Sequence, residues 1–321
     1  ESAYESHPYH SNIHGADVLH GLHYMMNTLG FMSSLSTLDL FTALFSAAVH
    51  DVGHLGVSNR FLIASNHPLA LRYNDSSVLE RMHIAVAFQT GWSHPDSNIF
   101  SQLDDDQYTK FRQLAIEMVL ATDLKSHFAF GARLKTFQRQ EEHRLQDEPL
   151  VFMQTMLKLA DIGHSSKERT LHLQWTAAII EEFFLQGDRE KDLGMSVSPF
   201  MDRNVPDTKK NQIGFFDYIV LPFWETATSH LEELQPLYEV VLGNFDYWNN
   251  LKSDNDCKFD KVIVLNGDEV VPQVTWGTSP QDVVPVNGSV PDPKKEKDND
   301  RRVAMERSLD YMGLKPNTKM T

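Results

Sequence analysis

The sequence contains a single cysteine, Cys257, among 321 residues. One thiol excludes an intramolecular disulfide framework and is typical of a reducing compartment. The sequence also lacks any apolar run near the roughly 18 residues that a membrane-spanning helix needs, and it shows no secretory signal peptide. We therefore predict a cytoplasmic protein without a transmembrane segment. Membrane association through segments outside these residues stays open.

Positive charge is also scarce, since 29 lysines and arginines face 44 aspartates and glutamates, for a formal net charge of −15. This acidic excess argues against nucleic acid as the principal partner. A negatively charged substrate would have to be bound through metal ions or local cations. Hydrophobic residues (41%) and charged residues (23%) are in the ordinary range for a globular protein.

Apolar residues recur at helical spacing along most of the chain, which predicts an all-α body. Ser36 is placed to cap one helix, and Ser77 with Glu80 forms a capping-box pattern that opens another. Pro149 fits the first position of a third helix. Gly187 is predicted to end the helix over residues 168–186. The predicted helices cover approximately residues 12–29, 36–50, 77–91, 106–121, 150–160, 168–186, 212–224 and 231–251, with short helical turns over 61–74 and a further start near 126.

No internal repeat is visible, and the composition changes at Lys252, beyond which charged residues cluster and prolines recur. We therefore predict two parts: one domain over residues 1–251, and a polar, partly disordered tail of irregular structure over residues 252–321. Because the chain opens without a methionine, we expect it to be a fragment that lacks helices further upstream.

The stretch that ends the second predicted helix is the strongest candidate for chemistry. It places His50, Asp51 and His54 where the helix stops, and two glycines, Gly53 and Gly56, let the backbone turn away. Histidines four residues apart lie on the same helical face, and imidazole with carboxylate suits zinc and similar divalent metals. Alone the motif is weak, because single His and Asp residues at helix ends are usually caps.

Other candidate ligands also lie at predicted helix ends. His10 and His14 stand at the start of the first helix, Asp161 ends the 150–160 helix, and Glu80 and Thr122 lie near ends as well. The facing helices of a bundle can project such residues into one shared metal site. Singly, each has a simpler explanation: His14 as a surface cap, Glu80 as a capping-box carboxylate, and Asp161 as a loop residue.

Six motifs occur together in a fixed order between His7 and about Leu251. They are Tyr9-His10-Ser11-Asn12-Ile13-His14, His50-Asp51 with His54 and Asn59, Tyr73-Asn74-Asp75-Ser76-Ser77-Val78-Leu79-Glu80, Ala121-Thr122-Asp123, Ala160-Asp161, and Gln212-Ile213-Gly214-Phe215. The set resembles the catalytic domain of class I cyclic-nucleotide phosphodiesterases. The resemblance implies an all-α, compact multi-helix bundle, the HD-type phosphodiesterase fold, with a dimetal site at helix ends.

The resemblance also implies a reaction, the hydrolysis of a 3′,5′-cyclic nucleotide to the nucleoside 5′-monophosphate. The first metal, usually zinc (Zn2+), would be bound by four residues: His14, His50, Asp51 and Asp161. The second metal, usually magnesium (Mg2+) and alternatively manganese (Mn2+), would share the bridging Asp51. Its waters would be held by His54, Glu80 and Thr122. A hydroxide bridging the two metals would attack phosphorus.

The resemblance assigns His10 as the general acid that protonates the leaving 3′ oxygen, with Glu80 holding His10 in its protonated form. Gln212 would match a purine edge, and Phe215 would stack on the base. Five apolar residues would complete the pocket: Ile179, Phe183, Met195, Ile162 and Leu124. Phe215, Ile179 and Phe183 equally fit a helix that only packs in the core.

Three positions depart from the pattern of the family. Gly53 stands where relatives often have an acidic residue, His164 where cAMP-selective relatives often have asparagine, and His172 where some relatives have tyrosine. His164 and His172 would help to orient the glutamine that recognises the base. We therefore expect cAMP as the preferred substrate, with dual hydrolysis of cAMP and cGMP as the second possibility.

Two other functions are compatible with part of this sequence. A broader His-Asp hydrolase explains the ligands but leaves His10, Gln212 and Phe215 without a purpose. A catalytically silent regulatory domain that binds cyclic nucleotide would be expected to have lost a ligand or the acid, and none is missing. The expected partner is thus the cyclic nucleotide substrate, and regulatory domains or a homodimer are compatible outside this fragment.

Overall fold

A computed structural model describes residues 3–28, 30–33, 35–93, 98–137, 145–251, 273–275, 283–285 and 287–319. The all-α prediction is confirmed. None of the helices within these ranges has the length and hydropathy that crossing a bilayer requires. The α-helices are α1 (Asn12–Thr28), α2 (Thr37–Val49), α3 (Asn59–Ala64), α4 (Pro68–Arg72), α5 (Val78–Ser93), α6 (Asp105–Leu120), α7 (His127–Phe137), α8 (Pro149–Asp161), α9 (Arg169–Asp192), α10 (Thr208–Phe215), α11 (Leu221–His230), α12 (Gln235–Asn250) and α13 (Asn299–Met312).

Helix α8 forms the centre of the first of two compact units, Glu1–Leu251 and Lys252–Thr321. Every residue of α8 from Val151 to Ala160 is buried; most are apolar, and the buried side chains of Gln154 and Lys158 donate to the carbonyl oxygens of Glu117 and Ala121. It packs against α1, α2 and α6. Because α8 is enclosed by these helices, Asp161 at its end is held in a fixed place.

Two of the predicted helix starts are confirmed, and one predicted capping interaction is wrong. Ser36 caps α2 as predicted, accepting the backbone N–H of Asp39 at 3.1 Å, and α8 begins at Pro149. The capping box predicted at Ser77 is wrong. The Ser77 hydroxyl instead donates to Asp123 Oδ2 at 2.8 Å, and the N–H of Leu79 donates to the distant Asn59 side chain at 2.8 Å.

The predicted helix end at Gly187 is also wrong, because α9 continues to Asp192. The glycine serves a close approach: a Cβ at this position would lie 1.8 Å from the carbonyl oxygen of Met201. A glycine inside a helix therefore marks the place where the following loop crosses the helix, not a helix terminus. The true end comes at Gly194, with φ +67°.

The second unit has more regular structure than the sequence predicted. Strands β1 (Gln273–Thr275) and β2 (Val283–Pro285) pair antiparallel, with Val274 opposite Val284. A small apolar cluster joins residues from β2 to α13: Val284, Val290, Met305 and Leu309. Helix α13 is capped by Asp298 and ends at Gly313 in the left-handed conformation, the usual signals of helix termini.

Candidate active site and metal centre

Four of the predicted ligands meet at the ends of three helices. His14 lies in the first turn of α1, His50 and Asp51 follow α2, and Asp161 is the last residue of α8. One donor atom from each lies within 4.8 Å of the others. The packing of α1 and α2 against α8 is therefore what brings together residues more than 100 positions apart.

The donor atoms of this cluster face one another closely. His14 Nε2 lies 3.4 Å from Asp51 Oδ2 and 3.2 Å from Asp161 Oδ1. His50 Nε2 lies 3.0 Å and 3.3 Å from the same two oxygens. Two imidazole nitrogens and two carboxylate oxygens thus converge on one point, a donor set that suits a divalent transition metal with open positions.

The orientation of His50 supports a cation at that point. Its Nδ1 donates to the carbonyl oxygen of Ala47 at 3.0 Å, which leaves the Nε2 lone pair facing the carboxylates in the neutral ring. Although it is fully buried, His50 Nε2 has no partner with hydrogen-bond geometry in the described part of the chain. An inward-facing lone pair beside two anions is unfavourable unless a cation lies between them.

The charges of the cluster lead to the same conclusion. Burial disfavours the charged ring of His50, but the adjacent Asp51 and Asp161 outweigh it and raise the pKa of His50 well above its usual range. Burial would likewise raise the pKa of Asp51, yet His50 and His14 hold it well below its usual range. The two carboxylates thus create a site that favours positive charge between them, and a dication would supply that charge.

His10 lies beside this cluster and is held by Glu182. Its ring centroid is 5.8 Å from that of His14. His10 Nδ1 donates to Glu182 Oε1, and the backbone N–H groups of Tyr9 and His10 both donate to Glu182 Oε2 at 3.0 Å. Burial would raise the pKa of Glu182, but its bonds with His10 and Tyr9 lower it. Glu182 is thus a buried, ionised partner that binds Nδ1 of His10, so Nε2 is the ring nitrogen that it does not engage.

The prediction that Glu80 holds His10 is therefore corrected. Glu80 Oε2 accepts from Asn59 Nδ2 at 3.0 Å, and Oε1 from the same atom at 3.2 Å. Burial and the nearby Asp123 raise the pKa of Glu80 to about 7. Nearby, Thr122 is buried and donates to the carbonyl oxygen of Val119 at 2.8 Å. Glu80 thus belongs to a polar group behind the cluster.

His54 lies between His10 and His83, and the three rings form a stack. The ring centroids of His54 and His10 are 3.8 Å apart, and those of His54 and His83 are 5.5 Å apart. Gly53, with φ +73°, makes the turn that places His54 there; this left-handed conformation favours glycine. Burial, then His10, lowers the pKa of His54 well below its usual range, so its ring is neutral.

Gln212 and Phe215 lie on one face of α10, at the other side of the site. Gln212 is buried, with Oε1 3.5 Å from Thr176 Oγ1 and Nε2 donating to Asn211 Oδ1 at 3.1 Å. Phe215 stacks on His164, with ring centroids 5.5 Å apart. The amide of Gln212 is therefore held by one long contact and one bond to its chain neighbour.

His164 and His172 form a pair instead of both bonding to the glutamine. Their Nδ1 atoms are 3.2 Å apart and their rings are stacked. Trp248 Nε1 donates to His172 Nε2 at 2.8 Å, so the neutral ring carries its proton on Nδ1, which donates to the carbonyl oxygen of His164 at 3.1 Å. Burial lowers the pKa of His164 to about 3 and that of His172 to about 4, so both are neutral near pH 7.

The five apolar residues predicted to line the pocket have different environments. Ile162 is buried in the main core, Ile179 and Phe183 are half-buried on α9, and Met195 packs on the apolar cluster around Phe61. Leu124 is 54% exposed. A common role in one pocket therefore stays a prediction.

Two residues of the site were missed from the sequence. Glu182 is a buried acid on α9, in line with Ile179 and Phe183; an acid on the apolar face of a helix was the available signal. His83 follows Glu80 by one turn of α5, and its Nε2 lies 3.6 Å from Asp51 Oδ1. His83 Nδ1 donates to the carbonyl oxygen of Val52 at 2.9 Å, so its Nε2 lone pair also faces the cluster.

Together these features define a helical bundle with a His/Asp cluster suited to a metal ion, together with a buried glutamine and the stacked rings of Phe215 and His164. The family model described as 3′5′-cyclic nucleotide phosphodiesterase matches residues 9–241. The chain belongs to this family. A second model, described as aconitase family (aconitate hydratase), matches residues 222–321. That match covers less than a third of the chain, and its first part is the core helices α11 and α12.

Individual relatives agree with the family. The chain is 40% identical to rat 3′,5′-cyclic-AMP phosphodiesterase 4C over 251 residues, covering 75% of this chain and 47% of the relative. It is 39% identical to the human dual specificity calcium/calmodulin-dependent 3′,5′-cyclic nucleotide phosphodiesterase 1C, covering 73% and 33%. The solved phosphodiesterase domain of the RhoPDE fusion protein from the choanoflagellate Salpingoeca rosetta is similar, with TM-score 0.73, 27% identity and 77% and 79% coverage. The chain thus spans less than half the length of these two curated relatives.

Proposed function

We propose that residues 1–251 form a metal-dependent 3′,5′-cyclic-nucleotide phosphodiesterase domain that hydrolyses cAMP to the nucleoside 5′-monophosphate. The observation that carries this proposal is the position of His10: its ring is fixed by Glu182 and lies next to the four-residue cluster. A broader phosphoesterase would not need an oriented acid there. Residues 252–321 would be an accessory tail, and the single cysteine supports a cytoplasmic location.

The four-residue cluster would hold a zinc ion through His14, His50, Asp51 and Asp161. Asp51 would also serve a second ion, magnesium or manganese, whose waters would be held by His54, Glu80 and Thr122, with His83 as a further partner. When bound, the ions supply Lewis acidity, which acidifies water and neutralises phosphate charge. The buried lone pair of His50 and the two clustered carboxylates fit such ions.

His10 would donate the proton that the leaving 3′ oxygen needs. Its Nδ1 is occupied by Glu182, so the proton is delivered from Nε2. The ionised, buried Glu182 accepts the Nδ1 hydrogen bond and fixes the plane of the ring. Because His10 stacks on His54 at 3.8 Å, the ring cannot swing away without losing that contact.

Gln212 and Phe215 would recognise the base, with the five apolar residues around them. The Gln212 amide is restrained by a long contact with Thr176 and a hydrogen bond to its neighbour Asn211. This weak restraint favours a second possibility, hydrolysis of cGMP as well as cAMP. An amide that can turn offers either its donor or its acceptor to the purine edge. Neutral His164, stacked on Phe215, could likewise donate or accept.

The direct test measures hydrolysis of cAMP and cGMP by the folded chain, with metal content determined in parallel. We expect 5′-monophosphate to form, chelator to abolish turnover, and zinc with magnesium to restore it. The ratio of the two rates decides between single and dual specificity. A folded, metal-loaded chain that turned over neither nucleotide would reject the catalytic proposal in favour of a silent binding domain.

The roles of the two glutamates are separated by a matched pair, Glu182→Gln and Glu80→Gln. We expect Glu182→Gln to lower kcat about 10- to 100-fold, the usual effect of losing an orienting partner, with metal content unchanged. Glu80 contacts Asn59, not His10, and is proposed to hold waters of the second ion. The loss of activity in Glu80→Gln should therefore be smaller and should be largely reversed by excess Mg2+. If excess Mg2+ rescued Glu182→Gln instead, the assignment of Glu182 to His10 would be wrong.

A further inference from the structure

A π-helical segment, Phe216–Val220, connects α10 to α11. Its wider turn is marked by the N–H of Leu221, which donates to the carbonyl oxygen of Phe216 five residues earlier. Pro222 follows, and it has no N–H to continue the α-helical ladder. Short π segments of this kind are held by their surroundings and often occur at functional sites.

The segment separates the part of the helix that faces the site from the part that fills the core. Phe215, before it, stacks on His164. Phe216, the next residue, is fully buried and stacks on Phe245, with ring centroids 5.8 Å apart. The turn that the backbone makes here therefore sets the direction in which Gln212 and Phe215 are presented.

His127, the first residue of α7, bonds directly to this segment. It is buried, and its Nε2 donates to the carbonyl oxygen of Ile219 at 3.2 Å. Burial and the nearby Lys158 lower the pKa of His127 to about 4, so its neutral ring carries one N–H, which this bond directs at Ile219. The ring also packs on Phe223, with centroids 5.0 Å apart.

We propose that His127 is a positioning residue for base recognition, because its hydrogen bond to Ile219 fixes the π segment and thereby the face of α10 that carries Gln212 and Phe215. The link to the base rests on the proposed function, whereas the effect on the π segment does not. His127 is not one of the clustered donors His14, His50, Asp51 and Asp161, so the chemical step itself should be little affected.

The chain offers a matched control in His230. This histidine lies on α11, and its Nε2 donates to the carbonyl oxygen of Leu134, on α7, at 3.0 Å. It therefore bonds α11 to α7 at a point outside the π segment, through the same type of bond by which His127 joins α7 to the π segment. Any effect of loosening α7 from α11 in general should appear in both variants.

The experiment compares His127→Leu, His127→Gln and His230→Leu. We expect His127→Leu to raise KM for the cyclic nucleotide about tenfold, the effect of one lost buried hydrogen bond, with kcat within about twofold of the wild-type value. His127→Gln, whose amide can still donate to Ile219, should restore most of the KM. Equal KM changes in His127→Leu and His230→Leu, or a change confined to kcat, would overturn the proposal.

Hydrogen exchange over residues 212–221 gives a readout that does not need activity. We expect His127→Leu to speed exchange there about tenfold relative to both wild type and His230→Leu; equal rates would overturn the proposal. If the wild-type chain hydrolyses neither nucleotide, the proposed function fails while this comparison still decides the role of His127. Should His127→Leu not fold, His127→Asn, whose shorter amide cannot reach Ile219, replaces it in both measurements.

Discussion

Replacing Asp161 with alanine is expected to remove the metal ion proposed for the cluster and to lower the proposed phosphodiesterase turnover by roughly 10³-fold. Asp161 Oδ1 lies 3.2 Å from His14 Nε2 and 3.3 Å from His50 Nε2, so its loss leaves the imidazoles with one carboxylate, Asp51. Metal ions contribute several kcal/mol of transition-state stabilisation, and each 1.36 kcal/mol corresponds to about a tenfold change in rate. Metal content and hydrolysis rate, measured on the same sample, test this directly.

Another aspartate, Asp39, which is buried, serves as the control. Asp39 also lies in the first unit, but it belongs to the start of α2 and pairs with Lys110 at 3.0 Å. Asp39→Ala should lower stability without removing metal, because Asp39 is not one of the clustered donors. An Asp161→Ala protein that kept the metal content of the wild type would show that the cluster is not the metal site.

Replacing His10 with alanine should lower the turnover of cyclic nucleotide by about 10²- to 10⁴-fold, the range for loss of a general acid. Metal content should stay unchanged, because His10 is held by Glu182 and not by the donor cluster. A phosphodiester with a good leaving group needs little protonation when the bond breaks. Its hydrolysis should therefore be nearly spared, and the ratio of the two rates is the quantity to measure.

The exposed His20 on α1 provides a matched substitution. His20→Ala should leave both rates unchanged. If His10→Ala lowered the rates for both types of ester equally, His10 would be acting on binding or on the metal centre, and the assignment as general acid would be withdrawn.

The fold could be predicted largely because its signals are local. Helical periodicity, the Ser36 cap and Pro149 at the start of α8 depend on neighbouring residues, and all three were confirmed. Predictions failed where a distant residue replaced a local partner: Asn59 and Asp123 took the bonds of the predicted Ser77 box. Gly187 was predicted to be a helix terminus because the residues around it do not indicate that the backbone of Met201 lies against this position.

In the candidate site, too, some residues could be predicted from the sequence and others could not. Helix ends and ligand chemistry made His14, His50, Asp51 and Asp161 candidates, the family resemblance selected these four as ligands, and the structure places them together. The partner of His10 could not be selected in this way. Glu80 and Glu182 are both acids near helical faces, and the choice depends on how α9 packs beside the loop that carries His10.

Helical periodicity and ligand chemistry depend on short stretches of the chain, so the all-α class and the candidate metal ligands could be predicted before the fold was known. The packing of the helices was needed to show that Glu182 orients His10, that His164 pairs with His172, and that His127 meets the π segment at Ile219. Each of these contacts joins separate elements, and two of them bridge more than 90 positions. Such contacts are selected by the burial of whole helices, which satisfies many side chains at once and leaves no local pattern to predict them.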